Sequence, residues 1–242
     1  MLGLRLNLTG IFSFFRIPYN SLLMDTYHFP PKTTIIGMVG AALGWDEDEF
    51  LKNIRNFRYG LIIESAGEVL QELASLYKGE KHKDEMSGLV YDKRYPITKN
   101  MMHKPAYKVF LSSDNALIKE AGEALCNPKF VLTLGDSENL FYPTSNNPNF
   151  VRLTEIKEKP TQKLKCILPS EVYNKYHSTF SKIKDDILPP REIKIPIDFI
   201  GKGKNRRFIP KNVFYYSGIE LQLKKPIEKG AFDFDGDAVY LF

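Results

Sequence analysis

Residues 24 to 45, MDTYHFPPKTTIIGMVGAALGW, constrain the fold of this chain more than any other stretch, because they pack two prolines, a lysine, two threonines and three glycines into one strand-to-helix transition. Pro30 and Pro31 fix their own φ and push the preceding residue toward extended backbone, so the chain arrives stretched and turns helical only afterwards. Thr33 is the expected N-cap. Gly37, Ala41 and Gly44 then follow at i, i+4 and i+7, which puts small residues on one helical face and predicts close approach of another backbone. Three glycines inside a helix cost about 1 kcal/mol each relative to alanine, so a steric purpose is implied.

A helix begun by Lys32, Thr33 and Thr34 leaves its first amides pointing outward, and those amides with one cation suit a phosphate. The pattern is neither a P-loop, since the lysine precedes the glycines, nor a GxGxxG fingerprint. Its apolar run is too short to span a bilayer. Lysine and arginine outnumber acids 34 to 29, giving a net charge of +5, which suits a polyanionic partner without requiring one. Cys126 and Cys166 stand alone with no clustered histidines, so neither a disulfide framework nor a zinc site is encoded and no cofactor is expected. The start of the chain alternates like a strand rather than reading as a signal peptide, so the expected location is cytoplasmic, with no membrane partner.

Leu2, Leu4, Leu6 and Leu8 alternate with Gly3, Arg5, Asn7 and Thr9, the period of a half-buried strand. A short helix over Asp46 to Ile54 and a strand over FRYGLIIES follow the glycine-rich helix. EVLQELASLY, residues 68 to 77, carries apolar positions in a helical pattern and is read as a helix, with a strand left open by its shortness. Residues 78 to 105 are charged and aperiodic and read as a projecting insertion. Then come a strand (AYKVFLSS), a helix (ALIKEAGEALC) capped by Asp114 or Asn115, and a strand over KFVLTLGDSENL ending in a glycine turn. The β-α-β-β-α-β order of an α+β, ferredoxin-like domain therefore occupies residues 1 to 145. The turn-rich TSNNPN at 144 to 149 joins it to a β-rich C-terminal subdomain over 146 to 242, broken by prolines.

Within that subdomain GKGKNRRFIPKN carries Lys202, Lys204, Arg206, Arg207 and Lys211, and it reads either as a solvated hairpin loop or as a grip on a nucleic-acid backbone. The terminal DFDGD could collect a cation, but an Asp-Gly turn between two short strands gives the same letters and is the preferred reading.

FSFFRIP, TYHFPPKTTIIGMVGAALGW, TKNMMHKPAYKVFL and KFVLTLGDSE, in that order, resemble the fifth numbered CRISPR-associated (Cas) protein family of the RAMP group. The resemblance covers about the first 140 residues. It implies a ferredoxin-like RNA binder within type I Cascade that holds the 5′ handle of the CRISPR RNA (crRNA). Such a subunit meets the backbone subunit and the large subunit, and touches target DNA only indirectly. Length and basic loops are closest to subtypes I-B or I-A. It further implies that residues 78 to 105 form a thumb, disordered when free, that reaches over the guide with Lys99, His103, Lys104, Tyr91, Tyr95 and Met101. Expected RNA-contacting residues are thus Arg16, Tyr27, Lys32, Thr33 and Thr34 around the family block, Lys99, His103 and Lys104 in the insertion, and Lys202, Lys204, Arg206 and Arg207 in the basic loop. In one subtype the same fold cuts precursor RNA, and His103, Lys104 and Tyr27 are residues of the kinds such a nuclease uses, although neighbours in an extended segment face opposite sides. A non-catalytic subunit is the expectation. A third reading, a protein cap with little RNA contact, is separated from it by salt dependence.

Overall fold

The computed structural model describes residues 1–19, 23–83, 86–88, 90–141 and 150–242. In chain order the elements are β1 (Leu2–Thr9), β2 (Phe12–Ser13), α1 (Lys32–Leu43), α2 (Glu47–Asn53), β3 (Arg58–Ser65), β4 (Glu68–Lys83), β5 (Val90–His103), β6 (Ala106–Ser112), α3 (Asn115–Cys126), β7 (Leu132–Thr133), β8 (Leu140–Phe141) and β9 (Val151–Glu155). They continue as β10 (Lys157–Glu158), β11 (Thr161–Leu164), β12 (Leu168–Pro169), α4 (Ser170–Tyr176), β13 (His177–Lys182), β14 (Leu188–Ile200), β15 (Arg207–Ser217), β16 (Ile219–Ile227), β17 (Ala231–Phe234) and β18 (Asp237–Tyr240). The protein is a mixed α+β structure, rich in sheet and sparing in helix.

The central sheet runs β9-β1-β6-β3, each pair antiparallel, and continues through β15 to β12, with β14 also paired to β15. Alternation decides its two faces. Leu4, Leu6 and Leu8, Tyr59, Leu61 and Ile63, and Tyr107, Val109 and Leu111 point one way and pack beneath Ile35, Ile36 and Val39 of α1 and Ile118, Ala121 and Leu125 of α3. Ile62 and Phe110 point the other way and are buried with Tyr216, Ile219, Phe234 and Val239 of the C-terminal strands. Phe110 meets Phe234 edge-on at 4.9 Å between ring centroids. Even Gly3 lies under Phe234, whose ring edge would stand 2.4 Å from an added Cβ. Both faces of the sheet are therefore covered.

The proline-rich entry to α1 is fixed by tyrosines. Prolines bring no N–H to a ladder, so neighbouring carbonyls need donors from elsewhere. The fully buried Tyr59 hydroxyl donates to the Pro30 carbonyl, and the Tyr107 hydroxyl donates to the His28 carbonyl at 3.0 Å.

Four sequence expectations change here. The N-cap is Pro31, not Thr33: extended Pro31 (ψ 159°) lets its carbonyl accept from the N–H groups of Thr34 and Ile35, so α1 starts at Lys32. Gly37 has no described atom within 4 Å of where a Cβ would sit, so no close backbone contact requires a glycine there, while Gly44 serves as the left-handed C-cap at φ 77°. EVLQELASLY is strand, because β4 pairs residue for residue with β5 from Glu68↔His103 to Tyr77↔Arg94; its apolar Val69, Leu70 and Leu73 stay exposed rather than facing a core. Of the charged insertion, residues 78–83 are the end of β4 and residues 90–103 are β5, so these described parts belong to one long antiparallel hairpin. Tyr91's side chain lies outside the described residues. KFVLTLGDSENL yields only the short β7, since Lys129 and Phe130 donate their N–H groups to the Ala42 and Ala41 carbonyls and dock this segment on the end of α1; the strand beside β1 is β9. The TSNNPN joint lies outside the described residues.

Other expectations hold. Asp46 forms a capping box with Glu49 at α2, and Asp114 caps α3. DFDGD is a hairpin turn, with Asp235 and Gly236 at φ 52° and 96° between β17 and β18. Its carboxylates are engaged: Asp233 by Lys159, Asp235 by Arg152, Asp237 by Lys108.

The turn at Gly135 ties this layer together. At φ 108° a Cβ there would stand 1.8 Å from the Phe14 carbonyl oxygen, a clash of backbone with backbone. Gly135→Ala should therefore destabilise the protein by about 2 kcal/mol or more, read as a lowered urea midpoint, and an unchanged midpoint would contradict this contact.

Candidate nucleic-acid interface

A groove of about 440 Å³ opens where five segments meet: Phe14–Arg16 and Pro18 after β2, Met24, Pro31 with Thr33 and Thr34 at the start of α1, the Gly135–Asp136 turn, and Pro196, Phe199 and Phe208 on the β14–β15 hairpin. Each wall has a local cause. Residues 14 to 16 are pinned on two sides, with the Phe14 N–H donating to the Leu134 carbonyl, the Phe15 N–H to Thr26 Oγ1 at 2.9 Å, and Arg16 bridged to Thr26. That leaves the Arg16 side chain exposed, and among the described residues it has no ion pair. Thr33 and Thr34 line the groove beside it, so three of the sequence-predicted residues share one concavity.

Lys32 sits at the first turn of α1, only 9% exposed, and its side chain makes no ion pair or hydrogen bond among the described residues. Burial pulls its pKa down to about 8, with Asp198 opposing and Lys211 reinforcing the shift. Asp198 is itself paired to Arg55 at 2.6 Å. An unneutralised, desolvated lysine destabilises the fold that carries it, and an anion arriving at the helix start would relieve that cost.

The basic loop adjoins the groove rather than standing apart from it. Phe199 and Phe208, which line the groove, flank Lys202, Lys204, Arg206 and Arg207, and the Arg206 guanidinium lies 4.7 Å from the Phe199 ring centroid. All four cations are exposed, but Lys202 pairs with Asp48 and Arg206 with Glu47 at 3.5 Å.

Other expected contacts are committed elsewhere. Tyr27 is fully buried and its hydroxyl donates to the Lys194 carbonyl at 3.0 Å, which makes it a core residue with no face toward RNA. Lys99 is 4% exposed and bonded at 2.7 Å to both Asp136 and Glu138, with its ammonium 4.8 Å from the Phe14 ring. Burial alone would lower its pKa, yet the two carboxylates outweigh it and hold the ammonium charged. Lys99 therefore stitches β5 to the glycine turn instead of meeting phosphate. His103 packs its ring against Phe12 at 5.4 Å, and Lys104 leaves the strand exposed at φ 52°. These two stand at the base of the hairpin, whereas the Tyr27 hydroxyl is bonded to β14.

Sequence reading missed Pro196, Phe199 and Met24, which read as ordinary strand and loop residues. The one available signal was the apolar flank of the basic loop, IDFIG before it and FIP within it.

The family model described as "CRISPR-associated protein (Cas_Cas5)" matches residues 3–191. The chain belongs to that family. In fold it is similar to a chain of a "CRISPR RNA-guided surveillance complex" (TM-score 0.55, 17% identity, 93% of this chain and 91% of the other). It is likewise similar to a "CRISPR protein from Archaeoglobus fulgidus" (TM-score 0.54, 13% identity, 99% and 98%). No curated protein matches the sequence. Among the described residues no helix is long and apolar enough to cross a membrane.

Within this family member, Lys32→Met should raise stability at pH 7 by about 1–3 kcal/mol, since it removes an uncompensated buried charge. The sign follows from the depressed pKa. Below about 8 the folded protein carries the full cost of the charge, and between about 8 and the ordinary 10.5 it sheds that proton while the unfolded chain keeps it, so the gain over wild type should shrink across that window. Urea titrations at pH 7 and pH 10 check this; a destabilised variant would show that Lys32 has a partner.

Proposed function

We propose that this protein is a non-catalytic subunit of a type I CRISPR surveillance complex, Cascade, of subtype I-B or I-A, that holds the 5′ handle of the crRNA. The observation that supports this reading is the groove, where exposed Arg16, Thr33 and Thr34 at the start of α1 and the root of a basic hairpin converge, with buried Lys32 in the same helical turn. The sheet order β9-β1-β6-β3 with α1 and α3 on one face supports reading this part as a ferredoxin-like domain, in which the C-terminal strands cover the face on which ordinary RNA-recognition modules stack bases. RNA is therefore expected at the helix end of the sheet. The β4–β5 hairpin is the thumb of this reading, directed at a neighbouring backbone subunit. The non-catalytic assignment draws on Tyr27, whose hydroxyl is buried and bonded to a backbone carbonyl instead of being available to a phosphate.

Arg16→Ala combined with Lys32→Ala should weaken binding of a repeat-derived 5′-handle RNA by about 10-fold or more at moderate salt and lower the slope of log affinity against log salt by about 1. Fluorescence anisotropy with a labelled oligonucleotide measures both. A wild-type affinity that does not respond to salt would favour the protein-cap reading. Incubation with repeat RNA in EDTA should leave the RNA intact, and a single cut ending in a 2′,3′-cyclic phosphate would overturn the non-catalytic assignment.

A further inference from the structure

The four cations of the β14–β15 connection fall into two classes. Lys204 and Arg207 are exposed and make no ion pair with any described residue. Lys202 and Arg206 are occupied by the acidic first turn of α2, Lys202 by Asp48 and Arg206 by Glu47. Glu47 Oε1 also accepts the Gly203 N–H at 2.9 Å, which the positive φ of Gly203, 54°, turns toward it. Neither acid is needed to cap α2, because Asp46 and Glu49 already form the capping box. A backbone N–H, a guanidinium and an ammonium gathered on carboxylates are the donor set that binds a phosphodiester.

We infer that Glu47 and Asp48 are an internal stand-in for RNA phosphate: they hold the 201–207 loop against α2 in the free protein, and guide RNA displaces them. This rests on the RNA-binding reading above and adds its regulation. The contacts are made by side chains between 40% and 67% exposed, so each is weak and exchangeable, whereas a polyanion offers many phosphates at once. The exchange also reaches the groove. Arg206 lies over Phe199, a groove wall, so its transfer to RNA uncovers that ring for a base or sugar.

A double-mutant cycle tests the latch. Glu47→Gln with Asp48→Asn removes the charges and keeps the shape and the cap, and Lys202→Ala with Arg206→Ala removes the loop cations. Each pair and the combination are titrated with a labelled repeat RNA at one salt concentration, alongside a control, Glu120→Gln with Glu123→Gln, which removes two exposed charges of α3. The acid pair should tighten binding roughly 3- to 10-fold, and losing the loop cations should cost under about 3-fold in wild type but over about 10-fold once the acids are neutral. Equal losses in both backgrounds, or equal tightening by the α3 control, overturn the latch and leave RNA binding standing. Absence of RNA binding in every variant, wild type included, overturns both.

Discussion

Two buried tyrosine hydroxyls hold the part of the molecule on which the candidate site depends. The prolines before α1 cannot join a ladder, and a buried carbonyl with no donor would cost about 1–3 kcal/mol. Tyr59 and Tyr107 rise from adjacent strands of the sheet and donate to the carbonyls of Pro30 and His28, so the pleat of the sheet sets where the proline segment lies and hence where α1 begins. Burial raises the pKa of both phenols, which keeps them protonated as donors throughout the range where the protein folds. The amides of Thr33 and Thr34, the placement of Lys32 and the wall beside Arg16 all inherit their positions from these bonds.

A sheet buried on both faces also explains where binding chemistry is absent. An alternating strand such as β1 would normally offer Arg5 and Asn7 to solvent, yet the C-terminal hairpins lie over this side, with Phe234 against Phe110 and Asp237 within 3.8 Å of Arg5. The charges of that face are spent on internal pairs. The groove that the covered faces leave open lies at the start of α1.

The pattern of letters made β1, α1, β3, β6 and α3 legible, because their periodicities are local, although the N-cap of α1 is Pro31 and not Thr33. It misled wherever long-range backbone pairing overrode local preference. EVLQELASLY has a helical apolar pattern, but β5 runs in continuous register beside it from Glu68 to Tyr77, and Val69 and Leu73 stay exposed with no buried face to favour the helix. KFVLTLGDSENL has a strand-like pattern, but its first amides are claimed by the carbonyls at the end of α1. At the site, Arg16 and the two threonines could be named in advance, since a cation near a helix start has a local signature. Lys99 could not be told from a phosphate ligand, because Asp136 and Glu138 lie 37 and 39 residues away.

The sheet order carries a consequence for synthesis. β1 is made first but sits between β6 and β9, so its leucines have no strand beside them until residue 106 has emerged and its second edge stays open until residue 155. At about 5–20 residues per second that second wait is on the order of ten seconds. The β4–β5 hairpin pairs locally in the meantime, so this ribbon can form before the central sheet is complete. Until then β1 keeps at least one open apolar edge, the period in which it is most exposed to pairing with the wrong partner.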